Sequence, residues 1–214
     1  MKYIFSIDGN IGSGKSTLIN NLKSIKYANS LKVFFLPEPV SIWNEIKDSS
    51  GISILEKYYA DQKRYAFSFQ MMAYITRLKQ IRDCIAQTPD NCIIITERCM
   101  YTDREIFAKM LFDSGKIEEI EYSIYLKWFD EFINDINITG IIYVQTLPKT
   151  CSERIVGRNR KGEESIPLEY LTNCHKYHED WLLNETNVLI LNGEGEQDTN
   201  TINIILNFLF VKTT

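Results

Sequence analysis

Apolar residues recur along the chain in two registers. Largely apolar runs at 3–7, 31–36, 92–96, 140–145 and 188–191 have the length and the β-branched or aromatic content of buried strands. Between them, apolar residues return every three or four positions, which predicts helices: one through Leu18, Ile19 and Leu22, one through Leu55, Tyr58 and Tyr59, and a long one over 65–85. Residues 101–133 read as helical with a break at Asp113, Ser114 and Gly115. Another helix passes through Cys151 and Ile155 into a charged loop at 158–165, Pro167 suits the first turn of the next, and 202–211 closes the chain. Strands alternating with helices, the strands continuously apolar, predict one α/β domain over residues 1–214, built on a five-stranded parallel sheet with helices on both faces. Ligands of such sheets gather at the carboxyl ends of the strands.

Those ends carry the chemistry. After the first strand, Gly9, Asn10, Ile11, Gly12, Ser13, Gly14, Lys15 and Ser16 satisfy the pattern G-x-x-x-x-G-K-[ST] in full, with Thr17 following and a helix beginning. Glycines let the backbone turn its N–H groups inward at positive φ and admit phosphate oxygens where a Cβ would collide. Lys15 is then placed to reach the β- and γ-phosphates of a nucleoside triphosphate such as ATP, and Ser16 to offer its hydroxyl to Mg²⁺. The second strand stops at Pro37-Glu38-Pro39 and the third at Glu97-Arg98. Glu38 is a candidate base for an acceptor hydroxyl, and Glu97 with Arg98 could hold Mg²⁺ and stabilise transferring charge. Arg154, Arg158 and Arg160, with Lys161, suit a lid closing over the phosphates.

Composition narrows the partners. A formal charge of −4 argues against a nucleic-acid footprint. Five cysteines without a C-x-x-C pair indicate reduced thiols rather than a disulfide framework or a zinc site, as in a cytoplasmic protein. His175 and His178 stand three apart on a predicted helix with no third ligand near, which reads as a solvated face rather than a metal site. No apolar run reaches membrane length, and a strand beginning so near Met1 leads us to expect no leader peptide.

Taken together, the loop GNIGSGKST, Glu38-Pro39-Val40 with Trp43, the pair Phe69-Gln70, Glu97-Arg98 with Asp103 and Arg104, the cluster from Arg154 to Arg160 and the run Ile166-Pro167-Leu168-Glu169-Tyr170 resemble the deoxynucleoside kinase family, particularly its deoxycytidine and deoxyguanosine kinases. The resemblance extends from Tyr3 to about Leu191 with the order of motifs kept. It implies a kinase that moves the γ-phosphoryl group of ATP, or of another triphosphate, to a nucleoside 5′-hydroxyl. It implies catalytic roles for Glu38, Arg98 and Lys15, phosphate contacts from Arg154, Arg158 and Arg160, and Mg²⁺ at Ser16 and Glu97. It further implies the sugar at Tyr59 and Glu163, the base edge at Gln70, stacking at Phe107, a pocket lined by Trp43, Leu55, Tyr58 and Phe69, and a homodimer.

Gln70, Ala73 and Arg77 fall at i, i+3 and i+7, so one stripe of the long helix should meet the base. In the resembled family an Arg–Asp pair at the positions of Arg77 and Asp103 accompanies cytosine and purine substrates rather than thymidine. The sequence departs from the family at Cys99, at Gly162, where a slip of one would put Glu164 on the sugar, and at the run NGEGEQD after Leu191. Two other readings remain: a monophosphate kinase resembling thymidylate kinase, whose acceptor pocket would need basic groups, and a nucleotide-binding switch that transfers nothing.

Overall fold

A computed structural model of the chain describes residues 1–158, 163 and 166–214. Its centre is a six-stranded sheet in the order β2-β3-β4-β1-β5-β6. The strands are β1 (Lys2–Asp8), β2 (Tyr27–Ala28), β3 (Leu31–Leu36), β4 (Cys92–Glu97), β5 (Gly140–Gln145) and β6 (Val188–Asn192). The five apolar runs are the five parallel strands. The sixth, β2, corrects the expected count: its two residues pair antiparallel with β3, Tyr27 opposite Lys32 and Ala28 opposite Leu31. Two residues are too few to show a period in sequence, so the hairpin was invisible to patterning.

Alternation along the strands divides the core between the two faces of the sheet. Phe5 and Ile7 of β1 and Ile93 and Ile95 of β4 pack with Leu18, Ile19 and Leu22 of α1 (Lys15–Leu22) and with Ile205 and Leu209 of α10 (Thr199–Thr213). Ile4, Cys92 and Ile94 face the other way, against Tyr74, Leu78 and Ile81 of α4 (Gln62–Gln87) and Tyr125 and Phe129 of α7 (Glu119–Ile133).

The remaining described helices are α2 (Val40–Glu45), α3 (Ile54–Ala60), α5 (Met100–Thr102), α6 (Lys109–Asp113), α8 (Pro148–Arg158) and α9 (Leu168–Leu182). Between α5 and α6 the helix widens into a π turn, Asp103–Ala108. Pro167 proves to be the cap before α9 rather than a residue of its first turn, with extended ψ of 147°. His178 also departs from expectation. It is fully buried, stacked parallel on Tyr143 at 5.8 Å, with Nδ1 2.6 Å from the carbonyl of Cys174. Burial holds its pKa down at about 3, so it is a neutral core residue. Its periodicity placed it on a helix face and could not say which face was covered. No described helix is long and apolar enough to cross a membrane.

Candidate active site

The phosphate loop is shaped by three glycines at positive φ: Gly9 at 147°, Gly12 at 79° and Gly14 at 102°. A Cβ on Gly9 would sit 2.6 Å from the carbonyl oxygen of Val144, and one on Gly12 would sit 2.5 Å from that of Cys151, so the loop lies hard against β5 and α8. Gly14 caps α1 without any side-chain hydrogen bond, and no acid stands in the first turn. The helix therefore presents bare N–H groups and its positive end to an anion. Asn10 ties the loop down through Nδ2 to the carbonyl of Leu171 at 2.8 Å and Oδ1 to the N–H of Ile11 at 2.8 Å. Lys15, folded back with Nζ 2.7 Å from the carbonyl of Asn10, is buried, and burial lowers its pKa to about 8. The carbonyl of Ser13 accepts from Thr146 Oγ1 at 3.0 Å and Arg154 Nη1 at 3.2 Å, which fastens α8 to the loop.

Beside the loop stand the two strand-end acids. Glu38 Oε1 accepts from Arg98 Nη1 at 2.8 Å and from Arg77 Nη2 at 3.2 Å. Burial pushes the Glu38 carboxyl up, but Arg98, Arg77 and Lys15 outweigh it and hold the pKa at about 2. Arg98 has a φ of 61°, a strained backbone that turns its side chain across the cleft, where Nη2 donates to the carbonyl of Gly9 at 3.1 Å and the guanidinium lies 5.2 Å from the Phe107 ring centroid. Glu97 Oε1 accepts from the Ser16 hydroxyl at 2.8 Å. The Ser16 hydroxyl and the Glu97 carboxylate oxygen at the mouth of the phosphate loop are hard oxygen donors of the kind that could hold a divalent cation such as Mg²⁺.

A cavity of about 390 Å³ runs from this machinery into an aromatic chamber, and every residue named above for the nucleoside lines it. Phe69 is the hub. Its ring stacks on Tyr58 at 4.4 Å and meets Trp43 edge-on at 5.4 Å, while Trp43 Nε1 is held by Thr76 Oγ1 at 3.0 Å. Gln70 is buried with its Oε1 unpartnered in the protein, a group prepared for a ligand. Arg77 Nε donates to Asp103 Oδ2 at 2.9 Å, and the π turn is what sends Asp103 and Phe107 into the chamber. Arg158 pairs with Glu163, which also lines the cavity. Arg160, Lys161, Gly162 and Glu164 lie outside the described residues.

Pattern reading missed several contributors. Val40 and Tyr170 line the cavity, the Tyr170 hydroxyl 2.8 Å from that of Tyr58. Asp8, under the phosphate loop, accepts from the hydroxyls of Ser6 and Thr102, and burial raises its pKa. Gln197 Nε2 reaches the carbonyl of Gly14 at 3.2 Å. Val40 and Tyr170 stood inside the motif runs without being singled out as lining residues, and Asp8 was visible as a carboxylate ending a mostly apolar strand.

A phosphate loop with a carboxylate and an arginine facing a largely aromatic chamber, polar only at Gln70, the Arg77–Asp103 pair and Glu163, fits a kinase whose acceptor is a small alcohol. The comparisons with known proteins give the same answer in finer detail. The deoxynucleoside kinase family model matches residues 5–208. The chain is 38% identical over 200 residues to deoxycytidine kinase 2 of Gallus gallus, covering 85% of this chain and 74% of that one. It is 38% identical over 217 aligned positions to a probable deoxycytidine kinase of fowlpox virus, covering 96% and 86%. Mitochondrial thymidine kinase 2 of Homo sapiens is 32% identical over 184 residues, covering 85% and 65%. The chain belongs to the deoxynucleoside kinase family, and is an ATP-dependent phosphotransferase acting on a deoxynucleoside.

Proposed function

We propose that Glu38 is the general base of this reaction, taking the proton of the nucleoside 5′-hydroxyl as its oxygen attacks the γ-phosphorus of ATP. One observation carries the reading: Glu38 lines a single cavity together with Lys15 of the phosphate loop and with Gln70, Arg77 and Asp103 of the aromatic chamber. The transfer needs positioning and charge neutralisation more than covalent help. Lys15, Arg154 and Arg158 supply positive charge around the phosphates, and Arg160 is expected to join them. Arg98, already on Glu38 and the loop, stabilises charge on the moving phosphoryl group. Ser16 and Glu97 would hold Mg²⁺, which when bound neutralises charge on the triphosphate. Burial keeps the Tyr59 hydroxyl protonated, so it can donate to the sugar 3′-hydroxyl beside Glu163. Changing Glu38 to Gln should lower kcat at least 100-fold with little change in deoxynucleoside Kd, and an equal loss in both would remove the residue from this role.

The same cavity favours cytosine and purine bases over thymine. Asp103 is 2% exposed and backed by Arg77, so its oxygens suit an exocyclic amino group and would face the O4 acceptor of thymine unpaired. A mismatch of this kind costs about 1–3 kcal/mol. Thymidine should therefore show a kcat/KM about 10-fold or more below that of deoxycytidine when the four deoxynucleosides are assayed with ATP. An acceptor already bearing a phosphate would meet Glu38 here, which speaks against a monophosphate kinase. We read the chain as one catalytic domain that works as a homodimer through α7, in the cytoplasm, where free thiols persist.

A further inference from the structure

Arg77 does more than face the base. Its planar fork offers five N–H donors, and four are already engaged within the protein. Nε and Nη2 hold the two oxygens of Asp103 at 2.9 and 3.4 Å, Nη1 holds the carbonyl of Glu97 at 2.8 Å, and the second Nη2 hydrogen reaches Glu38 Oε1 at 3.2 Å. The side chain is 1% exposed, so water does not compete for these donors. One arginine thus touches both the acid that faces the nucleobase and the acid that faces the reacting hydroxyl.

The bond to Glu38 is the exchangeable one. Glu38 Oε1 is shared, and Arg98 holds the same oxygen more closely, at 2.8 Å. Glu38 Oε2 has no hydrogen-bond partner among the described residues. A carboxylate clamped by two guanidinium groups is a weak proton acceptor, since the two cations hold its proton affinity well below the usual carboxylate range. A nucleobase arriving beside Arg77 brings ring-nitrogen or carbonyl acceptors that compete for the Nη2 hydrogen now spent on Glu38.

We propose that Arg77 is a latch: it restrains Glu38 while the acceptor site is free and releases it when a nucleobase takes over that N–H, so that recognition of the base switches on the general base. The inference rests on Glu38 being that base. Arg77 is then a positioning residue, acting through Glu38. The consequence is protection of ATP. With the latch shut, water near the γ-phosphorus finds no competent base. With it open and no 5′-hydroxyl present, the water oxygen forms the new bond to phosphorus, its proton passes to Glu38, and the bond to the bridging oxygen breaks with its electron pair leaving on ADP.

The unaltered enzyme tests this with 2′,5′-dideoxycytidine, which carries the base but no acceptor hydroxyl. Phosphate release from ATP and Mg²⁺ should rise about 5-fold or more over the rate without any acceptor, whereas the base-free sugar 1,2,5-trideoxyribose should leave it unchanged. Arg77→Met should raise the acceptor-free rate to a similar level and abolish further stimulation. Because that change strands Asp103, the paired variant Arg77→Met/Asp103→Asn is measured alongside, and adding Glu38→Gln should cancel the gain in either. If the dideoxynucleoside competes with deoxycytidine yet leaves hydrolysis flat, the latch is overturned. If Glu38→Gln still transfers phosphate at an undiminished rate, the base assignment beneath it fails instead.

Discussion

Glu38 shows how a single side chain acquires properties that its own chemistry does not supply. Arg98, Arg77 and Lys15 are the charged groups that set its proton affinity, with the phenol of Tyr59 beside them; together the cations overcome the cost of burial. Its folded pKa of about 2 lies below the ordinary 4.5, so the carboxylate contributes stability that is fully present above pH 4.5 and is lost as pH falls toward 2. The whole effect is on the order of 3 kcal/mol at 1.36 kcal/mol per unit. Urea unfolding of the wild type and Glu38→Gln should therefore diverge at pH 7, with the gap shrinking by about 1 kcal/mol by pH 3.5. A constant gap would show that the two guanidinium contacts do not stabilise the ionised form. The flanking prolines marked Glu38 as an acid at a strand end. Its second partner, Arg77, lies 39 positions away and left no trace in local pattern.

Among the elements, α3 has the clearest local logic. Ser53 is its N-cap, accepting from the N–H of Glu56 at 3.3 Å while Glu56 Oε2 returns to the N–H of Ser53 at 3.1 Å. This capping box fixes the turn that delivers Leu55, Tyr58 and Tyr59 to the cavity. Ser53→Ala should cost about 1 kcal/mol in thermal or urea unfolding. It should also raise the deoxynucleoside KM several-fold while kcat stays within about 2-fold, since it loosens the wall of the pocket without touching the phosphates. The π turn is the opposite case. The periodicity of 101–133 announces helix, and nothing in it says that the helix widens at Asp103–Ala108. A widened turn is held by its surroundings: Asp103 by Arg77 of α4, and Ile106 by the core that buries it. Tertiary contacts outbid the local preference for 3.6 residues per turn.

For the molecule as a whole, α7 carries an exposed apolar stripe. Ile120, Ile124 and Trp128, spaced by four, are 68%, 42% and 46% exposed, a stripe on the side away from Tyr125 and Phe129, which are buried in the core. The homodimer proposed above would bury this face. Ile124→Lys combined with Trp128→Glu should convert a dimer of about twice the 25.0 kDa chain mass into a monomer in sedimentation, with the fold intact by circular dichroism. An unchanged mass would send the dimer interface elsewhere.

How much could be read before folding also depends on range. Strand runs, helix stripes, the phosphate loop and the acids after β3 and β4 are written in neighbouring residues, because backbone conformation and the choice between inside and outside follow from side chains a few positions apart. The chamber of Trp43, Phe69 and Gln70 was legible through the resemblance to the deoxynucleoside kinase family; those residues lie on α2 and α4, and no local pattern states how these helices pack over the strand ends. The short β2 hairpin, the burial of His178, the π turn and the extension of the Arg77–Asp103 pair to Glu38 were not legible. Each depends on partners brought together from distant parts of the chain, and the free energy of such contacts exists only after the core has closed around them.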